Sequence, residues 1–422
     1  MTALEAVELI HQEAWTGHEP GLSRTIDLLG RLGDPHKSLK FVHITGTNGK
    51  GSTASMVSSV LWKAGIKAGL YTSPHLWHFC ERFRINGEMM PDDRLVELTE
   101  RVIQAGREME EHPTEFELMT AIGMLYFQEE GCDLVVLEVG LGGRLDSTNV
   151  IPAPEVAVIT NIGLEHTQEL GNTRALIARE KSGIVKTGSH VVLYGQSREV
   201  EEVVEEVCAQ TQAELTITRP DALEVLSTGL EGQTFRYGGD GPYHIRLMGD
   251  YQACNAITAI EVIRALRQRG WEITEEALVS GLEQAAWPGR MELAKRAPDL
   301  ILDGGHNPQC MEALADSLKK LCEGKDIWFL TGVLADKDYP DMFRYILPLA
   351  RGFVTITPDS PRAMSSQELA DYLRGLGKEA VPCDSTAHGL ETALKLAQAD
   401  DVVCVCGSLY TIGEVRHLLD LC

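Results

Sequence analysis

His43-Ile-Thr-Gly-Thr-Asn-Gly-Lys-Gly-Ser-Thr53 stands directly after the largely apolar run Leu39 to Ile44. Its glycines let backbone N–H groups turn toward an anion, the helix that follows offers an electropositive N-terminus, and Lys50 adds a point charge. The stretch reads as a phosphate cradle. Gly46, Thr47, Asn48, Gly49, Lys50, Gly51, Ser52 and Thr53 are the expected nucleotide-binding residues, with a nucleoside triphosphate as ligand. The spacing departs from the common P-loop, which has a longer spacer ahead of Gly-Lys-Ser/Thr. Here only Thr47 and Asn48 separate Gly46 from Gly49, and Gly51 stands between Lys50 and the hydroxyls. Without a ligand, the same residues would be a tight strand-to-helix turn.

Outward from the loop, a helix from about Ser52 to Ala64 and a strand near Ala68 to Tyr71 complete a βαβ unit. Two helices are expected within residues 1–35. The alternation continues with helices around Asp92 to Met109 and Phe116 to Glu129 and strands Leu134 to Val139 and Val156 to Thr160. Near-continuous apolar strands suit a parallel sheet covered on both faces. Residues 190–248 differ: short alternating segments, Leu215 to Thr218 and Thr234 to Tyr237, lie among glycine turns and predict a small antiparallel addition. Helices Tyr251 to Arg269 and Glu275 to Gln284 precede a stiff boundary at Trp287-Pro-Gly-Arg290. Strand and helix then alternate to the end. The expected fold is α/β: a P-loop-containing, mostly parallel ATPase domain over residues 1–286 and a smaller Rossmann-like domain over 287–422.

The 422 residues include 62 acidic and 38 basic side chains, a formal charge of −24. That balance opposes binding to nucleic acid or an anionic membrane, both of which need a basic footprint. No apolar run approaches the ~18 residues of a membrane span, and no signal peptide is evident, so a cytoplasmic address is expected. Ten cysteines show no Cys-x-x-Cys pair. Reduced thiols are expected, with Cys404 and Cys406 at strand positions instead of in a zinc or redox site.

Further candidates sit at strand ends, where open α/β sheets bind ligands. Ser73 follows the strand ending at Tyr71, Glu138 ends Leu134 to Val139, and His166 and Lys181 follow the next strand. Taken singly, a strand-end glutamate is a solvated carboxylate and a loop histidine is structural. Together on the edge that holds a phosphate loop, a hydroxyl, a carboxylate and an imidazole can complete the octahedron of Mg²⁺.

Gly46-Thr-Asn-Gly-Lys-Gly-Ser52, Thr72-Ser-Pro-His-Leu76, Glu81-Arg-Phe-Arg-Ile-Asn-Gly87, Leu137-Glu-Val-Gly-Leu-Gly-Gly-Arg-Leu-Asp146 and Asp303-Gly-Gly-His-Asn-Pro308 resemble the signatures of folylpolyglutamate synthase and dihydrofolate synthase, ATP-dependent amide ligases related to the Mur ligases. The resemblance runs in order from about Gly21 to Gly413. One departure is Gly305, where the family usually has alanine. The resemblance implies that Ser73, Glu138, His166 and Lys181 are metal ligands for Mg²⁺, two ions in all, with Lys181 carboxylated by CO₂, and it admits a monovalent cation. An ammonium cannot bind a cation, whereas a carbamate offers anionic oxygens. The resemblance further implies ATP contacts at Asn255, Arg290, Asp303 and His306, with Arg290 delivered by domain closure.

For the pterin-bearing acceptor, dihydropteroate or a reduced folate, the resemblance nominates Leu22, Ser23, Arg24, Thr114, Phe116, Asp146 and Ser147, with Arg82 in a covering loop, Trp77 to Pro91. Phe116 can stack on a flat heterocycle and Asp146 can accept its N–H groups; Phe116 also suits a helix core. Gly332 to Asp338 and Gly407 to Tyr410 are expected near L-glutamate or adenine. Lys50, Glu138, His166 and Lys181 are the expected catalytic residues of a monomer that makes an acyl phosphate for glutamate to attack. The run Asp146-Ser-Thr-Asn149 resembles bifunctional members. The alternatives are a muramyl amino-acid ligase and a non-catalytic ATP-binding module. The first is expected to carry an N-terminal domain of ~100 residues; about 40 precede the loop.

Overall fold

The computed structural model describes residues 1–16 and 20–421. Part of the N-terminal two-helix reading (residues 17–19) and Cys422 lie outside them. Strands β1 (Phe41–Thr45), β2 (Ala68–Tyr71), β3 (Phe83–Ile85), β4 (Glu88–Met89), β5 (Leu134–Glu138), β6 (Val156–Ile159), β7 (His190–Leu193) and β8 (Glu214–Ile217) form one sheet in the order β4-β3-β2-β5-β1-β6-β7-β8. From β2 to β8 every pairing is parallel; the β3–β4 hairpin adds an antiparallel edge.

β1 is central and alternates its side chains with the strand period of two. Val42 and Ile44 enter a core built with Val57, Ile257 and Leu278 from helices Lys50–Lys63, Asp250–Gln268 and Glu275–Gln284. Phe41 enters the opposite core, with Leu98 and Ile122 from helices Asp92–Arg107 and Glu115–Glu129. With both faces covered, an apolar strand is buried along its length. Register sets the functional edge: Ile44 of β1 pairs with Glu138 of β5, and Thr45 with Ile159 of β6. The ends of these strands therefore open side by side.

One expectation needs correction. Residues Leu215 to Thr218 are not part of an antiparallel addition: β8 pairs parallel with β7, Val191 opposite Leu215, after a crossover helix, Arg198–Thr211. β8 is an edge strand with partly exposed residues, so its polar alternation imitates an antiparallel strand. The addition itself is β9 (Leu223–Gly229), β10 (Gly232–Tyr237) and β11 (Asp240–Ile245), antiparallel in the order β11-β10-β9.

A separate sheet holds β12 (Glu292–Lys295), β13 (Asp299–Leu302), β14 (Ile327–Thr331), β15 (Ala350–Thr355), β16 (Ala380–Pro382) and β17 (Val402–Cys406), in the order β12-β13-β17-β14-β15-β16. Only β12 runs antiparallel to its neighbour. Helices Pro308–Leu321 and Ser366–Gly375 cover one face through Leu314, Leu318 and Leu369, and helices Thr386–Leu396 and Leu409–Leu418 the other through Leu390, Ile412 and Val415. Cys404 and Cys406 are buried on β17, and all nine described cysteines are free.

Candidate active site

The phosphate loop leaves β1 at Gly46 and turns at Gly49, whose φ of 88° is left-handed, straight into helix Lys50–Lys63. A Cβ on Gly49 would stand 2.5 Å from Asn255 Oδ1, and one on Gly51 2.5 Å from the Trp287 ring. Both glycines are thus fixed by close approach. Lys50 Nζ donates to the carbonyls of Gly46 and Thr47, 3.2 Å each, and Thr47 Oγ1 and the Gly163 backbone hydrogen-bond each other. Ser52 Oγ accepts from Gln252 Nε2 at 3.2 Å, and the buried Thr53 hydroxyl has no protein partner.

At the neighbouring strand end, the Ser73 N–H donates to Glu138 Oε2 at 3.1 Å. Glu138 is 4% exposed, and burial lifts its carboxyl above the ordinary range against the pull of Lys50, Arg290 and Arg82. A buried carboxylate with one N–H donor keeps lone pairs to spare for a cation. The residues present therefore fit a divalent ion bound through carboxylate oxygen. His166, at φ 51°, faces the same space; burial holds its imidazole below its usual range, with Glu165 opposing. Lys181 ends helix Arg174–Lys181 behind the loop, off the cavity wall, where its Nζ donates to Gly46 O at 2.8 Å. Burial and then Lys50 lower it to about 7.

The second sheet supplies the far wall. Asp303, at the end of β13, accepts the N–H groups of Met291 and Gly305 at 2.9 and 2.8 Å and so ties Arg290's segment to its own loop. His306 Nδ1 donates to Gly304 O at 2.8 Å, leaving Nε2 to face Glu165 at 3.8 Å; burial, then Arg290, lowers this imidazole to about 4. The two walls meet at Asn48, whose amide donates to Gln309 Oε1 at 2.8 Å and accepts from Asn307 Nδ2 at 3.2 Å. Between them is a cavity of about 420 Å³ lined by Lys50, Ser73, Glu138, His166, Asn255, Arg290, Asp303 and His306, among others. It places a phosphate cradle, a buried carboxylate and the Arg290 guanidinium, carried just ahead of β12, around one space.

The eight residues expected at the acceptor lie beside this cavity, not on its wall. Leu22 precedes helix Ser23–Arg31, and Arg24 is buried in a forked ion pair with Glu117, 3.1–3.2 Å. Thr114 caps helix Glu115–Glu129, Phe116 presses on Gly140 and meets Tyr71 edge-on at 6.1 Å, and Ser147 Oγ lies 3.1 Å from Thr120 Oγ1. Asp146 is 7% exposed and accepts from Leu141 and Thr148. Arg82 Nε donates to His75 Nδ1 at 3.0 Å.

A Mur ligase middle domain matches residues 44–263 and a Mur ligase, glutamate ligase domain matches residues 289–409. A dihydrofolate synthase/folylpolyglutamate synthase of Bacillus subtilis is 35% identical over 431 residues, 98% of each chain. The chain belongs to the dihydrofolate synthase/folylpolyglutamate synthase family. Among solved structures of that family, Escherichia coli FolC in complex with DHPP and ADP superposes with a TM-score of 0.88 at 29% identity, over 100% of this chain and 98% of that one. A bifunctional folylpolyglutamate synthase/dihydrofolate synthase from Yersinia pestis, complexed with AMPPNP and Mn ion, does so at 0.87 and 30%, over 100% and 98%.

Several residues on this family member's cavity wall escaped sequence reasoning: Glu165, Tyr194, Tyr251, Gln309 and Cys310. Glu165 adjoins His166, and that adjacency was its one local signal. Burial favours its neutral form, but His306, His166, Lys50 and Lys337 outweigh that and keep it low. Among the described residues, His78, Cys80 and Asp92 could also gather round a metal. However, His78 Nδ1 accepts the Cys80 N–H at 3.3 Å, so the ring proton stays on Nε2, the atom facing Asp92 at 3.8 Å. That nitrogen offers no lone pair to a cation. No described helix is long and apolar enough to cross a membrane.

Proposed function

We infer that this chain is an ATP-dependent carbon–nitrogen ligase that joins L-glutamate to the carboxyl group of dihydropteroate, of a reduced folate, or of both. The observation that carries it is the single cavity in which the phosphate loop, Glu138 and the second domain's Arg290 and His306 converge. The names of the relatives favour this reading over a muramyl ligase. The acceptor carboxylate attacks the γ-phosphorus of ATP and ADP leaves; the α-amine of glutamate then attacks the acyl carbon, its proton is lost, and phosphate departs with the C–O bond. Lys50 neutralises the moving charge while Asn255, Arg290, Asp303 and His306 place the nucleotide, so catalysis is positioning and electrostatics.

Ser73, Glu138, His166 and Lys181 would hold magnesium, which supplies charge neutralisation at the transferring phosphoryl group. Lys181 fits carboxylation because an amine brought to about 7 is substantially unprotonated near neutral pH and can add to CO₂ with loss of a proton. Leu22, Ser23, Arg24, Arg82, Thr114, Phe116, Asp146 and Ser147 form the acceptor's end. The rest of the reading is a cytoplasmic monomer with domains at 1–286 and 287–422, a two-ion site and room for a monovalent cation.

The test is ADP release from purified protein. It should require glutamate together with dihydropteroate or tetrahydrofolate; release that ignores both refutes the ligase reading. Lys181→Ala should lose activity and regain part of it with acetate or formate, and full activity without either refutes the carbamate.

A further inference from the structure

His43 is the one ionisable side chain of β1, is fully buried, and has no part in the chemistry above. By the strand period, it shares a face with Phe41 and Thr45. Its Nε2 lies 2.9 Å from Thr148 Oγ1, and that oxygen lies 2.5 Å from Asp146 Oδ1. A hydroxyl has one proton. Thr148 gives that proton to the carboxylate, so it accepts from His43, and the chain of donors runs His43 Nε2–H to Thr148 O–H to Asp146. The direction requires a neutral imidazole protonated on Nε2. Burial holds the ring neutral, down to about 3, and Nδ1 is enclosed without a partner.

Two residues along β1, Thr45 Oγ1 donates to Gly142 O at 2.6 Å, a second tie from the same strand face to the same 140–148 loop. The following residue, Gly46, opens the phosphate loop. One strand thus grips the loop bearing Asp146 on its face and carries the phosphate cradle at its end.

We propose that His43 is a positioning residue for the ring end of the acceptor, acting through Thr148 on the Asp146 carboxylate. The proposal rests on the reading of Asp146 as part of the acceptor site. Its N–H makes Thr148 a donor toward Asp146 alone, and this fixes the carboxylate for the N–H groups of a pterin. Losing one such buried hydrogen bond should weaken acceptor binding about 10-fold.

The experiment compares wild type with His43→Leu, His43→Gln, Thr148→Val and the double variant His43→Leu/Thr148→Val. It measures KM for tetrahydrofolate and dihydropteroate, KM for ATP, kcat, and dihydropteroate binding without turnover, by fluorescence. His43→Leu and Thr148→Val should each raise acceptor KM and Kd about 10-fold and leave ATP KM and kcat within about twofold. His43→Gln, which can present an N–H, should restore most of the loss, and the double variant should be little worse than either single one. Unchanged acceptor KM, or an ATP KM that rises in step, overturns the relay. If His43→Leu does not fold, Thr148→Val alone decides. Wild type that releases no ADP with either acceptor refutes the underlying reading, and the relay with it.

Discussion

Glu138 is buried, bonded to one backbone N–H, and beside the cradle of Lys50. Glu138→Gln keeps the shape and removes the anion. Its kcat for ADP formation should fall about 10²- to 10³-fold with the melting temperature preserved; turnover near the wild-type rate would remove Glu138 from the chemistry. His43 makes a second prediction, on stability. Its pKa is about 3 folded against an ordinary 6.5, so between those values the unfolded chain binds more protons and stability falls as pH drops from about 6.5 toward 3. The His43 contribution approaches about 1.4 kcal/mol per pH unit within that window. Denaturant titrations of wild type and His43→Gln across pH 7 to 4 should show the shallower slope in a variant that has no imidazole to protonate.

Helices Lys50–Lys63 and Glu275–Gln284 cross at Gly281, where an added Cβ would meet the Val60 backbone at 2.4 Å, and Ser59 Oγ donates to Gly281 O at 2.7 Å. Backbone cannot yield as a flexible side chain can. Gly281→Ala should therefore destabilise the protein by about 1–3 kcal/mol in urea unfolding, and an unchanged midpoint would mean that the helices part easily. Such contacts also mark what sequence can convey. The phosphate loop was legible because its glycines, lysine and hydroxyls lie side by side, and β17 because a buried strand is a continuous apolar run. β8 was misread because an edge strand, here exposed at Glu214 and half-buried through Ile217, accepts polar residues whichever way its neighbour runs. The Arg24–Glu117 fork spans 93 residues and left no local trace, so only the family resemblance singles out Arg24 in the sequence. Tyr251 and Gln309 were missed for the same reason: each becomes part of the cavity only when two distant segments meet.

At the scale of the molecule, the site is an interface. Besides the Asn48 contacts, the loop after Ser73 lies against helix Leu409–Leu418: Trp77 stacks on His417 with centroids 4.1 Å apart and planes 12° from parallel, and a Cβ on Gly413 would stand 2.1 Å from Leu76 O. Gly413→Val would put a wedge there. We expect kcat to drop about tenfold through misplacement of Arg290 and His306, with a larger radius of gyration by small-angle scattering and each domain still folded by circular dichroism; wild-type turnover would show that closure tolerates the gap. The amide of Asn48 carries a consequence of a different kind. It belongs to the phosphate loop, yet two of its side-chain partners, Asn307 and Gln309, lie 259 and 261 residues away, in the other domain. A substitution at 48 leaves an unmatched donor or acceptor at 307 and 309. Over evolutionary time these three positions should change together, and a hybrid gene that takes its two halves from different ancestors should work best when that trio comes from one parent.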